Sequence, residues 1–265
     1  MMRTLRKWGG FVAIAVACTA AAAYVWTNDA GARISQDLPL HIAGLNQTLR
    51  LRLQPDNVNA YISRGNAKGD LGRYQEAIAD YDQALQRRPD FAAAYFYRGA
   101  AKLALDQYEE AVADLDQALQ LWPDDAFAYV IRGNAKVCLG HYQDAIADYN
   151  QALQIQPDNA GAYVGRGVVY DALGRYERAI ADYDEAIRLQ PDYAEAYLNR
   201  GIAKASLDQY QDAIADYDHA LQIQPGNPSA YHNRVLAKLN LGQSRNTFPD
   251  YDQALLPHPG FADGN

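Results

Sequence analysis

Along most of this chain the apolar residues fall three and four apart, in helix-length stretches separated by short polar turns. From Tyr210 to Leu221 the residues Tyr210, Ala213, Ile214, Tyr217, Ala220 and Leu221 occupy one face of a helix, with acids and amides between them. The stretch before it, Ala194 to Leu207, does the same with Tyr197, Gly201, the stem of Lys204 and Leu207. Between the two lies Asp208, and the same place is taken elsewhere by Gly72, Asp106, Gly140, Gly174 and Gly242. These residue types tolerate the left-handed backbone that closes a helix. The pattern predicts an all-α chain built of helix hairpins.

The hairpins recur with a fixed period. Prolines at 55, 89, 123, 157, 191, 225 and 259 stand 34 residues apart and divide residues 55–258 into six units without insertions. Tyrosine follows the same rule at Tyr61, Tyr95, Tyr129, Tyr163, Tyr197 and Tyr231. It does so again at Tyr74, Tyr108, Tyr142, Tyr176 and Tyr210, and at Tyr81, Tyr149, Tyr183, Tyr217 and Tyr251, so 16 of the 20 tyrosines are accounted for. An aromatic at every repeat on the apolar face is expected to fill space between helices rather than to recognise a ligand. Gly65, Gly99, Gly133, Gly167 and Gly201, with Ala77, Ala111, Ala145, Ala179 and Ala213, allow the paired helices to approach closely.

One pair of charges repeats six times. Arg64, Arg98, Arg132, Arg166, Arg200 and Arg234 lie in the first helices, and Asp80, Asp114, Asp148, Asp182, Asp216 and Asp250 in the second. Each partner is eight residues from the turn residue, which sets the two level across an antiparallel hairpin and predicts an Arg–Asp bridge within or between repeats. A feature needed at six places is a building rule, so these carboxylates are not expected to be catalytic.

Together these residues resemble the tetratricopeptide repeat family. In the third unit the family's pattern falls on Tyr129, Gly133, Tyr142, Ala145, Tyr149, Ala152 and Pro157, and the resemblance covers about three quarters of the chain. Two departures recur: Arg precedes the Gly where the family has Leu, and Lys follows it by three where the family has an aromatic, except in the fourth unit, which has Tyr170. The last unit is degenerate, with Val235, Ser244 and Thr247 at pattern positions and Pro249 expected to open a short final helix ending near Leu256.

The resemblance implies a right-handed superhelical solenoid of helix-turn-helix repeats, without catalytic activity or cofactor, whose concave groove is lined by the first helices and binds other proteins. The groove positions carried over to this chain are Phe96, Tyr97, Ala100 and Leu103; Val130, Ile131, Asn134 and Val137; Val164 and Val168; Leu198 and Ile202. Their apolar character predicts a peptide or amphipathic helix as ligand. Family members that clamp acidic tails use Lys, Arg and Asn where this chain has Ile62, Phe96, Val130, Val164 and Leu198.

Ahead of the repeats, Arg3, Arg6 and Lys7 precede an uncharged stretch from Gly9 to Trp26. As a helix it would span about 27 Å, close to the thickness of a hydrocarbon core. Basic residues before it predict repeats outside the cytoplasm, on the periplasmic or extracytoplasmic side of a bacterial membrane. Residues 1–27 are then a retained anchor, a signal peptide cleaved at the small-residue sites that the Ala20 to Ala23 run offers, or a lipoprotein signal with lipidation at Cys18. Residues 28–54 are expected to hold a polar linker and a capping helix with Leu38, Ile42, Leu45, Leu49 and Leu53 on one face, and residues 259–265 form a tail.

Charge and inventory narrow the function. The chain carries a formal charge of −8, and residues 28–265 carry 21 Lys and Arg against 32 Asp and Glu, which disfavours nucleic acid as a partner. Two cysteines are too few for a thiolate metal cluster, and His41, His141, His219, His232 and His258 are scattered, with no phosphate loop or nucleophile elbow. A binding scaffold is therefore expected, not an enzyme, with self-association through Val235 to Leu241 or through the groove as the architectural alternative.

Overall fold

The computed structural model describes residues 57–243 together with Thr247 and Asp250. The apolar stretch 9–26, the linker and capping helix of 28–54, the final helix expected near 249–256 apart from Asp250, and the tail all lie outside the described residues. Among the described residues there are eleven helices and no strand. They are α1 Val58–Asp70, α2 Tyr74–Arg87, α3 Ala92–Leu103, α4 Tyr108–Leu121, α5 Ala126–Cys138, α6 Tyr142–Ile155, α7 Ala160–Ala172, α8 Tyr176–Leu189, α9 Ala194–Ser206, α10 Tyr210–Ile223 and α11 Pro228–Asn240. The chain forms two compact units that meet in sequence at Pro157 and Asp158. The first holds the hairpins α1–α2, α3–α4 and α5–α6; the second holds α7–α8, α9–α10 and α11.

Four of the first helices begin where a polar side chain satisfies the first helical amides. Asn57, Asp125, Asn159 and Asn227 accept backbone N–H bonds at the starts of α1, α5, α7 and α11, and Pro228 supplies a preset φ at the first turn of α11. Each first helix ends at the expected punctuation. All six turn residues have positive φ, including Asp106 at 59° and Asp208 at 62°. Those two aspartates accept hydrogen bonds from the hydroxyls of Tyr108 and Tyr210, both at 2.7 Å. The bond to Asp106, helped by burial, pushes the Tyr108 phenol up to about 12.

Tyr81, Tyr149, Tyr183 and Tyr217 are the largest fully buried side chains, which fits their reading as packing between helices. The opposing glycine makes room for each ring. A Cβ built on Gly133 would lie 2.9 Å from Cε1 of Tyr149, and one on Gly167 2.6 Å from Cε1 of Tyr183. Around these contacts the first unit buries Phe96, Leu103, Leu115, Leu119 and Ile131 in one cluster. The second unit packs Leu198, Ile214, Tyr217 and Leu221 in another.

Candidate functional site

The recurring charges hold the first helices at a fixed height, so they come before any binding face. Arg132 donates to both carboxylate oxygens of Asp148, from Nε at 3.0 Å and Nη2 at 2.6 Å, and its remaining Nη1 reaches Asp116 on α4 at 2.6 Å. Arg98 repeats this with Asp114 and Asp82, Arg200 with Asp216 and Asp184, and Arg234 with Asp250 and Asp218. The predicted bridge is thus made within the hairpin and also onto the hairpin before it. Each of these guanidinium groups also lies 5.2–5.4 Å from the ring of the Tyr three residues earlier.

A second cation joins the pair, and helical spacing alone does not reveal it. Spacing places the Lys three residues after the Gly on the apolar face through its stem. Its ammonium also grips the same Asp: Lys68, Lys102, Lys136, Lys204 and Lys238 lie 2.7–2.8 Å from Asp80, Asp114, Asp148, Asp216 and Asp250. The signal is present in the sequence, since the Lys is absent only in the unit with Tyr170.

The predicted groove residues all sit on first helices, and their burial divides them. Phe96, Ala100, Leu103, Val130, Ile131, Val137, Val164, Val168 and Leu198 are buried. Tyr97, Asn134 and Ile202 are half-buried. The first group has little free surface, and the second keeps some. Asn134 accepts the Tyr149 hydroxyl at 2.6 Å, so one of its polar groups is already engaged.

In the first unit a hollow of about 330 Å³ is lined by Phe96 and Tyr97 of α3, Trp122 at the end of α4 and Phe127 at the start of α5, with Ala118 of α4, Ile155 of α6 and Asp124 also at its lining. Trp122 is 57% and Phe127 38% exposed. Neither belongs to the groove positions expected from the resemblance, although both interrupt the repeat. Trp122 stands where Arg88, Gln156, Gln190 and Gln224 stand in other units, and Phe127 where they have Asn59, Ala93, Gly161, Glu195 and Ser229. No group of His, Cys, Asp and Glu arranged for a metal ion occurs among the described residues.

The family model described as tetratricopeptide repeat matches residues 47–126, 132–193 and 169–228, more than half of the chain. The chain belongs to the tetratricopeptide repeat family. Members of this family mediate protein–protein interaction as scaffolds. Solved tetratricopeptide repeat structures share the fold. YrrB, described as having an unusual peptide-binding site, is 22% identical over 70% of this chain and 96% of its own, with a TM-score of 0.55. MamA is 26% identical over 61% of this chain and 94% of its own, also at 0.55. A tetratricopeptide repeat protein from Parabacteroides merdae is 20% identical over 91% and 92% of the two chains, at 0.65. No curated protein sequence matches the chain.

Proposed function

We propose that this tetratricopeptide repeat chain is a non-catalytic scaffold that holds an apolar segment of a partner protein, an extended peptide or an amphipathic helix, against its first helices. The observation that carries this reading is the aromatic hollow of the first unit. An indole more than half exposed beside an open phenyl ring forgoes burial, and apolar surface held open in a concavity is the usual form of a recognition site. The rim favours the same ligand class, because Asp124 brings no cation that would attract an acidic tail. In the first unit Tyr97 and Asn134, which keep free surface, contribute further contacts.

The scaffold is tethered by residues 9–26 with its repeats outside the cytoplasm. This part of the reading rests on the basic residues and apolar run of the sequence. No helix among the described residues is long and apolar enough to cross a membrane. Alkaline extraction tests it: the full chain is expected to stay with the membrane pellet and to leave it only in detergent.

Partner capture tests the binding. The full chain, immobilised in mild detergent, is expected to retain a specific membrane or envelope protein that a Trp122→Ser, Phe127→Ser variant loses. Both positions are exposed, so the variant keeps its helicity, whereas Glu at buried Val130 or Val164 would disturb packing as well as binding. Equal capture by both chains would defeat the hollow as the receptor. The architectural alternative has its own support: Leu236, Leu239 and Leu241 of α11 and the turn after it are exposed. Light scattering separates the two, since self-association predicts a mass that rises with concentration and falls in a Leu236→Lys, Leu239→Lys variant.

A further inference from the structure

The second unit departs from the repeat at one spot, and the departures converge. In α1–α2 and α5–α6 the buried tyrosine hydroxyl donates to an Asn next to the opposing glycine: Tyr81 to Asn66 at 2.8 Å, Tyr149 to Asn134 at 2.6 Å. In α7–α8 and α9–α10 that Asn is replaced by Val168 and Ile202, and the hydroxyls of Tyr183 and Tyr217 have no partner among the described residues. The rings themselves have not moved, since Tyr183 still lies over Gly167 and Tyr217 over Gly201. Both hydroxyls therefore emerge at the level where an acceptor is missing.

Into this place the chain puts an acid. Asp171 is on α7, four residues beyond Gly167 and three beyond Val168, so it stands one turn along the same helix face. The other units have Gly69, Leu103, Val137, Ala205 and Leu239 there. Asp171 is only 7% exposed and its Oδ1 is buried without a hydrogen-bond partner. Its charge is felt by both Tyr183 and Tyr217, and Tyr183 also feels Glu195 of α9. Burial pushes the Asp171 carboxyl up to about 6 and raises Glu195 as well. Asp182, the bridging acid of this hairpin, is taken by Arg166. At neutral pH this carboxylate is thus ionised with no cation paired to it among the described residues, which is a destabilising arrangement at a position that carries no charge in the other units.

We propose that Asp171, with the hydroxyls of Tyr183 and Tyr217 and the carboxylate of Glu195, receives the ammonium or guanidinium group of a Lys or Arg side chain on a bound peptide. The inference rests on the peptide-binding reading and adds to it a charge requirement in the second unit: the apolar segment received there carries a basic residue. A cation supplies what the spot lacks, because it gives the buried oxygen a donor and restores charge balance.

The test is a phage-displayed library of random 12-residue peptides selected at pH 7.5 on the full chain and on its Asp171→Val variant. Valine stands at the equivalent position 137, so the variant folds. The wild-type chain is expected to enrich apolar residues with one Lys or Arg at a fixed offset, and the variant to keep the apolar preference and lose the basic one. In a synthetic copy of the leading peptide, replacing that Lys by norleucine weakens binding to wild type by about tenfold or more, and to Asp171→Val by less than twofold. Apolar enrichment without a basic residue, or a basic preference that survives Asp171→Val, overturns this inference and leaves the peptide-binding reading standing. No enrichment on either chain overturns both.

Discussion

The third hairpin, α5–α6, and the fourth, α7–α8, have the same length, the same turn geometry and the same tyrosine over glycine. Their polar complement is different. The third satisfies its polar groups internally: Asp148 has Arg132 and Lys136, the Tyr149 hydroxyl has Asn134, and the end of the first helix carries Val137. The fourth lacks all three of Lys, Asn and Val. Tyr170 replaces the Lys, Val168 the Asn and Asp171 the Val. With Arg166 as its bridging partner, Asp182 is raised by burial more than that cation lowers it. Asp250 has less protein around it, and the hydrogen bonds from Arg234 and Lys238 outweigh its burial and hold it below the usual carboxylate range. A repeat rule shared by five units is what makes the sixth instance informative, because a stabilising device has been dropped at the place where an uncompensated acid appears.

Removing the bridging Arg should separate the two hairpins most strongly. In Arg166→Ala the buried Asp182 loses the guanidinium held at 2.6 and 2.9 Å and has no Lys behind it, an expected loss of about 3–5 kcal/mol. In Arg132→Ala, Lys136 remains 2.7 Å from Asp148, and the loss should be about half as large. Urea midpoints followed by circular dichroism at pH 7 measure the difference. Equal losses would show that the Lys contributes nothing to the network.

The next largest effect has the opposite sign. Asp171→Val removes the orphan carboxylate and should stabilise the chain at pH 7.5 by about 2–3 kcal/mol, which is what it costs to hold a buried carboxyl ionised when folding has raised it from the ordinary range to about 6. The pH dependence follows from that direction. A carboxyl raised on folding is held more tightly as the acid in the native state. Its contribution is therefore fully present below the ordinary carboxylate range and is lost as pH rises through about 6. Wild type should melt at a higher temperature at pH 5 than at pH 7.5, and Asp171→Val should flatten part of that slope; Asp182 and Glu195, raised by burial in the same direction, keep the remainder. An unchanged slope in the variant would mean that Asp171 is not the titrating group.

Much of this was legible in the sequence because it repeats. The 34-residue spacing of proline, tyrosine and the turn residues located the helices, and the equal spacing of Arg and Asp from the turn located the bridge. What repetition cannot reveal is how one side chain divides its atoms. Lys204 has both an apolar stem and an ammonium, and its spacing identified only the first. The same limit applies to the groove. Position along a first helix did not separate Val130, which is buried, from Tyr97, which keeps free surface, because the facing residues that cover them belong to neighbouring helices. Trp122, Phe127 and Asp171 were legible in another way, as breaks in an otherwise regular column.

Two smaller changes exchange the remaining features between the hairpins. Tyr170→Lys gives the fourth hairpin its missing cation and should add about 1 kcal/mol, less what is lost with the Tyr170 ring that lies 5.8 Å from the Arg178 guanidinium. The sharper readout is the carboxyl carbon of Asp182 by NMR, whose titration should move down.

Asn134→Val makes the reverse change in the third hairpin and is expected to be the mildest, about 0.5–1 kcal/mol. The Tyr149 hydroxyl loses a 2.6 Å acceptor, but the fourth and fifth hairpins already carry Val168 and Ile202 at that place with their tyrosine rings undisturbed over glycine. A loss of several kcal/mol would mean that Asn134 organises the packing of α5 on α6 rather than merely satisfying one hydroxyl. The partnerless hydroxyls of Tyr183 and Tyr217 would then stand out further, as a sacrifice of stability made only in the unit that also carries Asp171.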